Sequence, residues 1–343
     1  MTPAQSRLET IRLNIMRLAP MVEIASLLAL VAVIVFALCF PASAAGATGI
    51  EKRLDVAAGG RLEIESEGAS LAITTHEGAG ARVVITRGTE DEEEIREDYR
   101  IDITQNGNVV RVELERLRPW RFFDFTFRSP EIAVEVPHRF DVDVVTSGGA
   151  VSVEDLDGKV DARTSGGSIS LAAISGPVMA TTSGGSIRLH SSGGDADLRT
   201  SGGSISIGEV DGSVNARTSG GSISIDRAAG AVVANTSGGS IEIEEVHGAI
   251  DAETAGGSVR AYLSEPPRAD SSLRTSGGGI TVVLADGIGL NIDARANRVT
   301  SEFDVADGDD SRRDDDELVG AINGGGPTLR LRTSGGGIRV LRR

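Results

Sequence analysis

The sequence predicts an all-β protein, a parallel β-solenoid built from 18-residue coils. The phrase Thr-Ser-Gly-Gly returns every 18 residues from Thr146 to Thr236, and Thr-Ala-Gly-Gly follows after the same interval at Thr254. Constant spacing of this kind is typical of stacked identical units. Within each unit apolar and polar residues alternate, which is the spacing of strands and not of helices.

Each unit contains two short predicted strands. Counted from its threonine as position 0, apolar residues fall at positions 5, 7, 10, 14 and 16. Strands this short cannot bury their apolar side alone, so successive units are expected to stack in parallel about 4.8 Å apart around a thin core. The pattern is compatible with two cross-sections of the solenoid, a flattened oval of two sheets and a triangle. In the unit that begins at Thr200 the apolar residues are Ile205, Ile207, Val210, Val214 and Ala216.

The two glycines after each threonine and serine are expected to form a corner of the coil. We expect glycine there because positive φ is free of steric cost only for this residue. A further glycine at position 12, such as Gly212, marks a second corner. The predicted corner glycines are Gly148, Gly149, Gly166, Gly167, Gly184, Gly185, Gly202, Gly203, Gly220, Gly221, Gly238 and Gly239.

Residues 1–44 are predicted to be a signal peptide. They contain a positively charged start, an apolar run at 24–40 and the sequence Ala-Ser-Ala at 42–44, so cleavage is expected after Ala44. The alternative is an uncleaved N-terminal membrane anchor. The single cysteine, Cys39, lies in this segment, so disulfides cannot stabilise the exported chain. A net charge of −16 argues against nucleic acid as a partner.

The rest of the chain divides into two predicted regions. Residues 45–145 are expected to be an irregular β-rich start of the solenoid with a cap, and an acidic run at 90–94 is expected to form a solvated loop or a short helix. Residues 146–343 are expected to form the regular solenoid repeats, with an acidic loop at 304–317. A last coil at 329–340 would extend regular coiling nearly to the end of the chain.

A cluster of aromatic residues near position 120 stands out because aromatic residues make up only 3% of the sequence. It could be an exposed patch that binds a sugar, a lipid surface or a protein. It could instead be a cap that covers the open end of the core. The cluster consists of Trp120, Phe122, Phe123, Phe125 and Phe127.

Outward positions of the repeat carry a charged stripe. Position 15 is occupied by Asp161, Asp197, Asn215 and Asp251, and position 17 by Arg163, Arg199 and Arg217. The arginines are candidates for binding a glycan, and an Asp and Arg stripe could also serve a polysaccharide lyase or hydrolase. Side chains two apart on a strand share a face, however, so the simpler expectation is that these charges pair with each other.

No other motif indicates chemistry. The four histidines are scattered singly, so no metal site, cofactor or catalytic residue is predicted. A serine recurs at position 4, from Ser168 to Ser258, and is expected to form a structural hydrogen-bond ladder between coils.

The chain resembles the bacterial putative-adhesin domain family, a family of β-strand repeat proteins of unknown function. The resemblance rests on the sequence at 140–149, the Val153-x-x-Leu156-x-Gly158-x-Val160 phrase, the repeated Thr-Ser-Gly-Gly and the glycine-rich 320–326. It extends from about Lys52 to Val340. It implies a repeat protein with a binding role and supplies no catalytic residues.

These observations favour an exported, non-enzymatic module of the cell envelope, with an adhesin-like binding or structural role. The expected location is the periplasm, the cell surface or the extracellular space. The expected partner is a cell-surface glycan or an envelope protein, with membrane contact only through an uncleaved N-terminal segment. The alternatives are a polysaccharide-active β-helix enzyme and an envelope-stress sensor that partners a membrane signalling protein.

Overall fold

The structure, a computed structural model, describes residues 49–117, 128–305, 312–313 and 315–343. The predicted signal peptide and the aromatic cluster at 120–127 lie outside these residues. No helix in the described part of the chain is long and apolar enough to cross a membrane.

The described residues form two long β-sheets, here sheet A and sheet B, that share one hydrophobic core. Sheet A contains β1 (Ile50–Leu54), β3 (Ser70–His76), β4 (Ala81–Thr86), β7 (Glu131–Pro137), β9 (Val151–Val153), β11 (Ile169–Ile174), β13 (Ile187–Ser192), β15 (Ile205–Val210), β17 (Ile223–Ala228), β19 (Ile241–Val246), β21 (Val259–Leu263), β23 (Ile280–Leu284), β25 (Val299–Ser301) and β29 (Ile338–Arg342). Sheet B contains β2 (Gly60–Ser66), β5 (Tyr99–Asn106), β6 (Val109–Arg116), β8 (Phe140–Thr146), β10 (Val160–Thr164), β12 (Val178–Thr181), β14 (Ala196–Arg199), β16 (Val214–Arg217), β18 (Val232–Thr236), β20 (Ile250–Thr254), β22 (Ser271–Thr275), β24 (Leu290–Arg295), β26 (Arg312–Arg313), β27 (Glu317–Ile322) and β28 (Thr328–Thr333). The helix α1 spans Glu92–Asp98.

From β8 to β23 the chain alternates between the two sheets, and each strand from β10 to β21 pairs in parallel with the strands one repeat before and after it. The register is constant, so that Ile205 lies between Ile187 and Ile223. Residues at positions 5, 7, 14 and 16 point inward, and Ile205 and Val214 are only 1% and 2% exposed. The predicted β-solenoid is therefore confirmed, and its cross-section has two sheets and not three.

The repeat glycines are required for a reason other than the expected one. None of the corner glycines in the fully described stretch 146–257 has positive φ, so the conformational argument is wrong for them. Position 3 instead lies against the backbone of the preceding coil: a Cβ added to Gly221 would lie 2.1 Å from the carbonyl oxygen of Gly203. Position 2 has more room, since a Cβ on Gly220 would lie 3.2 Å from the carbonyl oxygen of Gly202.

The repeat threonines are buried and connect consecutive coils. The hydroxyl of Thr218 donates to the carbonyl oxygen of Gly203 at 2.8 Å and accepts from the backbone N–H of Gly221 at 3.3 Å. The same pair of bonds recurs from Thr164 to Thr333. This role was not predicted from the sequence, although the presence of threonine at position 0 of every repeat from Thr146 to Thr254 was a signal of it.

We expect Thr218→Val to destabilise the protein by about 1–3 kcal/mol. Valine has the shape of threonine, but it removes the donor to Gly203 and the acceptor for Gly221 in a buried position. Urea unfolding followed by circular dichroism would measure the change. The matched control is Thr181→Val on the half-buried outward position 17. An equal loss in both variants would contradict the role of the buried hydroxyl.

The N-terminal end of the solenoid departs from sequence order. The coil of β2 and β3 lies between the coil of β6 and β7 and the coil of β8 and β9. Antiparallel strands finish both sheets at this end, with β1 on β4, β4 on β7, and β5 on β6. The acidic run leads into the short helix α1, which was one of the two expected alternatives. A capping box formed by Asp91 and Glu94 stabilises the start of this helix.

The C-terminal end also departs from the expected sequential coiling. The coil of β28 and β29 is last in the sequence, but it lies between the coil of β22 and β23 and the coil of β24 and β25. Strand β27 then pairs antiparallel with β24, and β26 with β27. Within the acidic stretch 304–317, Arg312–Arg313 thus forms β26 and Glu317 begins β27.

One carboxylate connects the two C-terminal coils. Arg332 on β28 donates to the side chain of Asp293 on β24 at 2.5 Å and to its carbonyl oxygen at 2.6 Å. Burial raises the pKa of Asp293, but the hydrogen bond and charge of Arg332, with the charges of Arg295 and Arg330, outweigh it and hold that pKa below its ordinary value. Because the folded-state pKa is lowered, the carboxylate stabilises the fold above its unfolded-state pKa.

We expect Asp293→Asn to destabilise the protein by about 1–2 kcal/mol at pH 7. The difference from wild type should shrink as the pH falls below about 4, because wild type then becomes protonated as well. Urea unfolding at pH 7 and pH 3 would measure both effects. Asp102→Asn, at an exposed position of the edge strand β5, is the control. A difference of the same size at both pH values would contradict the ionic role of Asp293.

Candidate functional site

The outward face of sheet B carries the predicted arginines. Inward residues occupy positions 14 and 16, so positions 13, 15 and 17 face outward. The parallel register places equal positions of successive coils side by side, which creates columns along the stack. Column 15 contains Asp161, Met179, Asp197, Asn215 and Val233, and column 17 contains Arg163, Thr181, Arg199, Arg217 and Asn235.

The three predicted binding arginines are not equivalent. Arg163 pairs with Asp161 at 2.6 Å, and Arg199 pairs with Asp197 at 2.7 Å, each within its own strand. This is the pairing that the simpler expectation predicted. Arg217 differs because Asn215 stands where its aspartate would be. Among the described residues the Arg217 guanidinium has no carboxylate partner within ion-pair distance.

A groove of about 490 Å³ runs beside Arg217 on this face. Met179 and Val233 line it where other repeats carry aspartate or asparagine, and Pro177 and Ala231 extend its apolar surface. Met179 is 40% exposed, which is high for a large hydrophobic residue in this fold. This groove was not predicted from the sequence, although the two apolar residues at outward position 15 were a signal of it.

The carboxylates of the groove are already bound within the protein. Asp197 accepts from Arg199 at 2.7 Å and from the side-chain amide of Asn215 at 3.2 Å. Asp195 accepts from the backbone N–H of Ser213 at 2.7 Å. Lys159 at the other end of the groove has no ion pair with any described residue. An apolar surface with two available cations is therefore presented to solvent.

Among the described residues, the carboxyl group whose pKa is raised lies outside the groove. Burial, with the nearby charge of Asp155, raises the pKa of Glu154, but this residue follows β9 of sheet A and does not line the groove. In the residues that the structure describes, no group of three or more His, Cys, Asp or Glu side chains is placed to hold a metal ion.

The outward serines at position 4 form the structural ladder that the sequence predicted. The hydroxyl oxygen of Ser186 accepts from the backbone N–H of Ser204 in the next coil at 3.2 Å, and the pattern continues to Ser258. These hydroxyls are therefore engaged within the solenoid. The five aromatic residues predicted as a binding patch or cap, Trp120 to Phe127, lie outside the described residues.

Comparison with known proteins gives one family and several distant structures. The family model described as Toastrack DUF4097 matches residues 60–341. No curated protein matches the chain at a significant level.

Among solved structures, the putative adhesin from Parabacteroides distasonis is 11% identical, with a TM-score of 0.38 over 86% of this chain and 98% of that one. The putative adhesin from Bacteroides fragilis is 10% identical, with a TM-score of 0.33 over 87% and 98% of the two chains. A putative lipid binding protein from Parabacteroides distasonis is 12% identical, with a TM-score of 0.33 over 86% and 97%. These TM-scores are too low to carry an argument about this chain.

Proposed function

Since this chain belongs to the Toastrack DUF4097 family, we propose that it is an exported, non-enzymatic binding module of the bacterial cell envelope. Its partner is a cell-surface glycan or an envelope protein, and the contact is made through the groove on the outward face of sheet B. The repeated coils act as the rigid support of this surface.

The groove beside Arg217 is the observation that supports this proposal most. It combines exposed apolar side chains with a cation that no carboxylate of the described residues neutralises. Concave, largely apolar surfaces with a few placed polar groups are the usual form of ligand sites. A ligand that carries a negative charge next to an apolar surface would complement both features.

No observation favours the polysaccharide-active enzyme as a second function. Asp161 and Asp197 are each paired with the arginine two residues later. A pair of catalytic carboxylates needs surroundings that separate their pKa values. Here each carboxylate instead lies beside an arginine guanidinium of its own strand, so both have the same kind of charged partner.

The test is retention of the purified full chain on a panel of envelope polysaccharides and envelope proteins, with release of new chain ends recorded in the same samples. Retention without new chain ends is expected. New chain ends would contradict the non-enzymatic assignment, and failure to bind any member of the panel would contradict the binding role.

We expect Arg217→Ala to weaken binding of an acidic partner by roughly 5- to 30-fold, the loss of one charge-assisted contact. Arg163→Ala should have a smaller effect, because Arg163 is already paired with Asp161. Affinities at low and moderate salt would measure both, and the Arg217 contribution should decrease with salt. Equal losses in the two variants would contradict the special position of Arg217.

A further inference from the structure

The last segment of the sequence is an internal part of the stack. Strand β28 pairs in parallel with β22 on one side and with β24 on the other. Strand β29 pairs in the same way with β23 and β25. We name residues 328–342 the closing coil. The space that this coil fills, between the coil of β22 and β23 and the coil of β24 and β25, is named the slot. The end of the solenoid beyond the slot is joined to the regular coils chiefly through this coil.

The closing coil contributes a full set of core contacts to both neighbours. Its four inward side chains, Leu329, Leu331, Ile338 and Val340, are each at most 1% exposed. The hydroxyl of Thr333 donates to the carbonyl oxygen of Gly278 at 2.7 Å, as the threonines of the regular repeats do. These contacts are made by backbone hydrogen bonds between strands, by inward side chains and by the Thr333 hydroxyl. None of them depends on the covalent connection to β27.

That connection is a short, exposed, glycine-rich link. Three consecutive residues have positive φ, namely Asn323 at 48°, Gly324 at 90° and Gly325 at 81°. The side-chain amide of Asn323 donates to the carbonyl oxygen of Ile288 at 3.0 Å and holds the link in place.

We propose that the slot is a strand-acceptor site for residues 328–342, and that a second copy of this chain can supply this segment in trans. Exchange of an identical element between copies needs only a hinge and an unchanged set of contacts, and both are present here. Parallel strand addition provides the affinity through backbone hydrogen bonds, and the inward pockets provide the selectivity.

A glycine restricts which strands can occupy the slot. A Cβ added to Gly336 would lie 2.2 Å from the carbonyl oxygen of Gly278, which is backbone and cannot move aside. A strand of suitable hydrophobic pattern is therefore not sufficient, because the occupant must also carry a glycine at this position. This requirement yields a control peptide that differs from the native segment in one residue.

The first experiment cuts the link in the folded full chain. A protease site inserted between Gly324 and Gly325 is cleaved after folding, and the nicked protein is analysed by gel filtration. The C-terminal fragment is expected to stay bound and to be replaced over time by an excess of labelled peptide of residues 326–343. The same peptide with Gly336→Val is expected to bind about tenfold more weakly or worse.

Two results would overturn the acceptor site. One is immediate loss of the fragment from a chain that otherwise keeps its circular dichroism spectrum and thermal stability. The other is equal binding of the native and Gly336→Val peptides, which would indicate non-specific adhesion.

The second experiment tests exchange between copies. The intact chain, refolded at high concentration, is expected to form a fraction of dimers that persists on dilution. The nicked chain from which the fragment has been stripped is expected to form none under the same conditions, because its donor segment is gone. Dimers in neither sample, or in both, would overturn the exchange between copies.

Discussion

Gly221→Ala is expected to destabilise the protein by about 3 kcal/mol or more. The new Cβ would lie 2.1 Å from the carbonyl oxygen of Gly203, and this neighbour is backbone of the preceding coil. No side chain can rotate to make room, so two coils would have to separate and weaken the hydrogen bonds between them. Urea unfolding followed by far-UV circular dichroism would measure the loss.

The adjacent glycine is the matched control for this prediction. A Cβ on Gly220 would lie 3.2 Å from the carbonyl oxygen of Gly202, so only a small adjustment is needed. Alanine also restricts the unfolded chain, which partly offsets the crowding, and the net effect should be about 1 kcal/mol or less. Similar losses at Gly220 and Gly221 would show that close approach of the coils is not what requires glycine.

The second large effect is expected from Leu331→Asp in the closing coil. Leu331 is fully buried, and a carboxylate there would have no partner, so we expect a loss of about 4 kcal/mol or more. Because coils contact only their neighbours, the damage should be local. Hydrogen exchange should show faster exchange at residues 290–305 and 315–322 and in the closing coil, with protection retained at 160–250.

Arg339→Asp is the control, since residue 339 lies in the same coil but points outward. It should leave the exchange pattern nearly unchanged. Uniform loss of protection along the whole solenoid in Leu331→Asp would contradict the view that the closing coil joins only the C-terminal end to the stack.

The regular part of the fold could be predicted because its period does not vary. An interval of 18 residues places like residues in register, so the inward positions of one unit, such as Ile205 and Val214, apply to all units. The strand pattern within the unit predicted two strands per coil but did not distinguish a two-sheet oval from a triangle. A constant period predicts the register and the core positions of the whole repeat region, because each parallel strand makes the same contacts as its neighbours.

The order of the terminal coils could not be predicted in the same way. Strands β22, β24 and β28 have similar alternating patterns, so the patterns alone do not distinguish one order of these strands from another. Nothing in a local pattern says that Leu329 lies between Ser271 and Ile292. In the observed order Arg332 contacts Asp293, and this contact is visible only in three dimensions.

The candidate site was predicted in part. The sequence pointed to Arg163, Arg199 and Arg217, and the structure brings all three into one column. The difference between them was present in the sequence, as Asn215 in place of aspartate, but its meaning depends on which side chains share a face. The apolar groove at Met179 and Val233 was not predicted, because single apolar residues at outward positions are common on protein surfaces.

The binding role of the sheet B groove is tested most directly by retention of three full-length proteins on the same panel of envelope polysaccharides and envelope proteins. They are wild type, the groove variant Met179→Asp with Val233→Asp, and the sheet A variant Ser206→Asp with Ser224→Asp, which adds the same charge at outward positions of the other sheet. We expect the groove variant to lose at least about tenfold in affinity, as the removal of apolar contacts and the added repulsion predict. We expect the sheet A variant to bind like wild type. Equal retention of the two variants would contradict the assignment of binding to this groove.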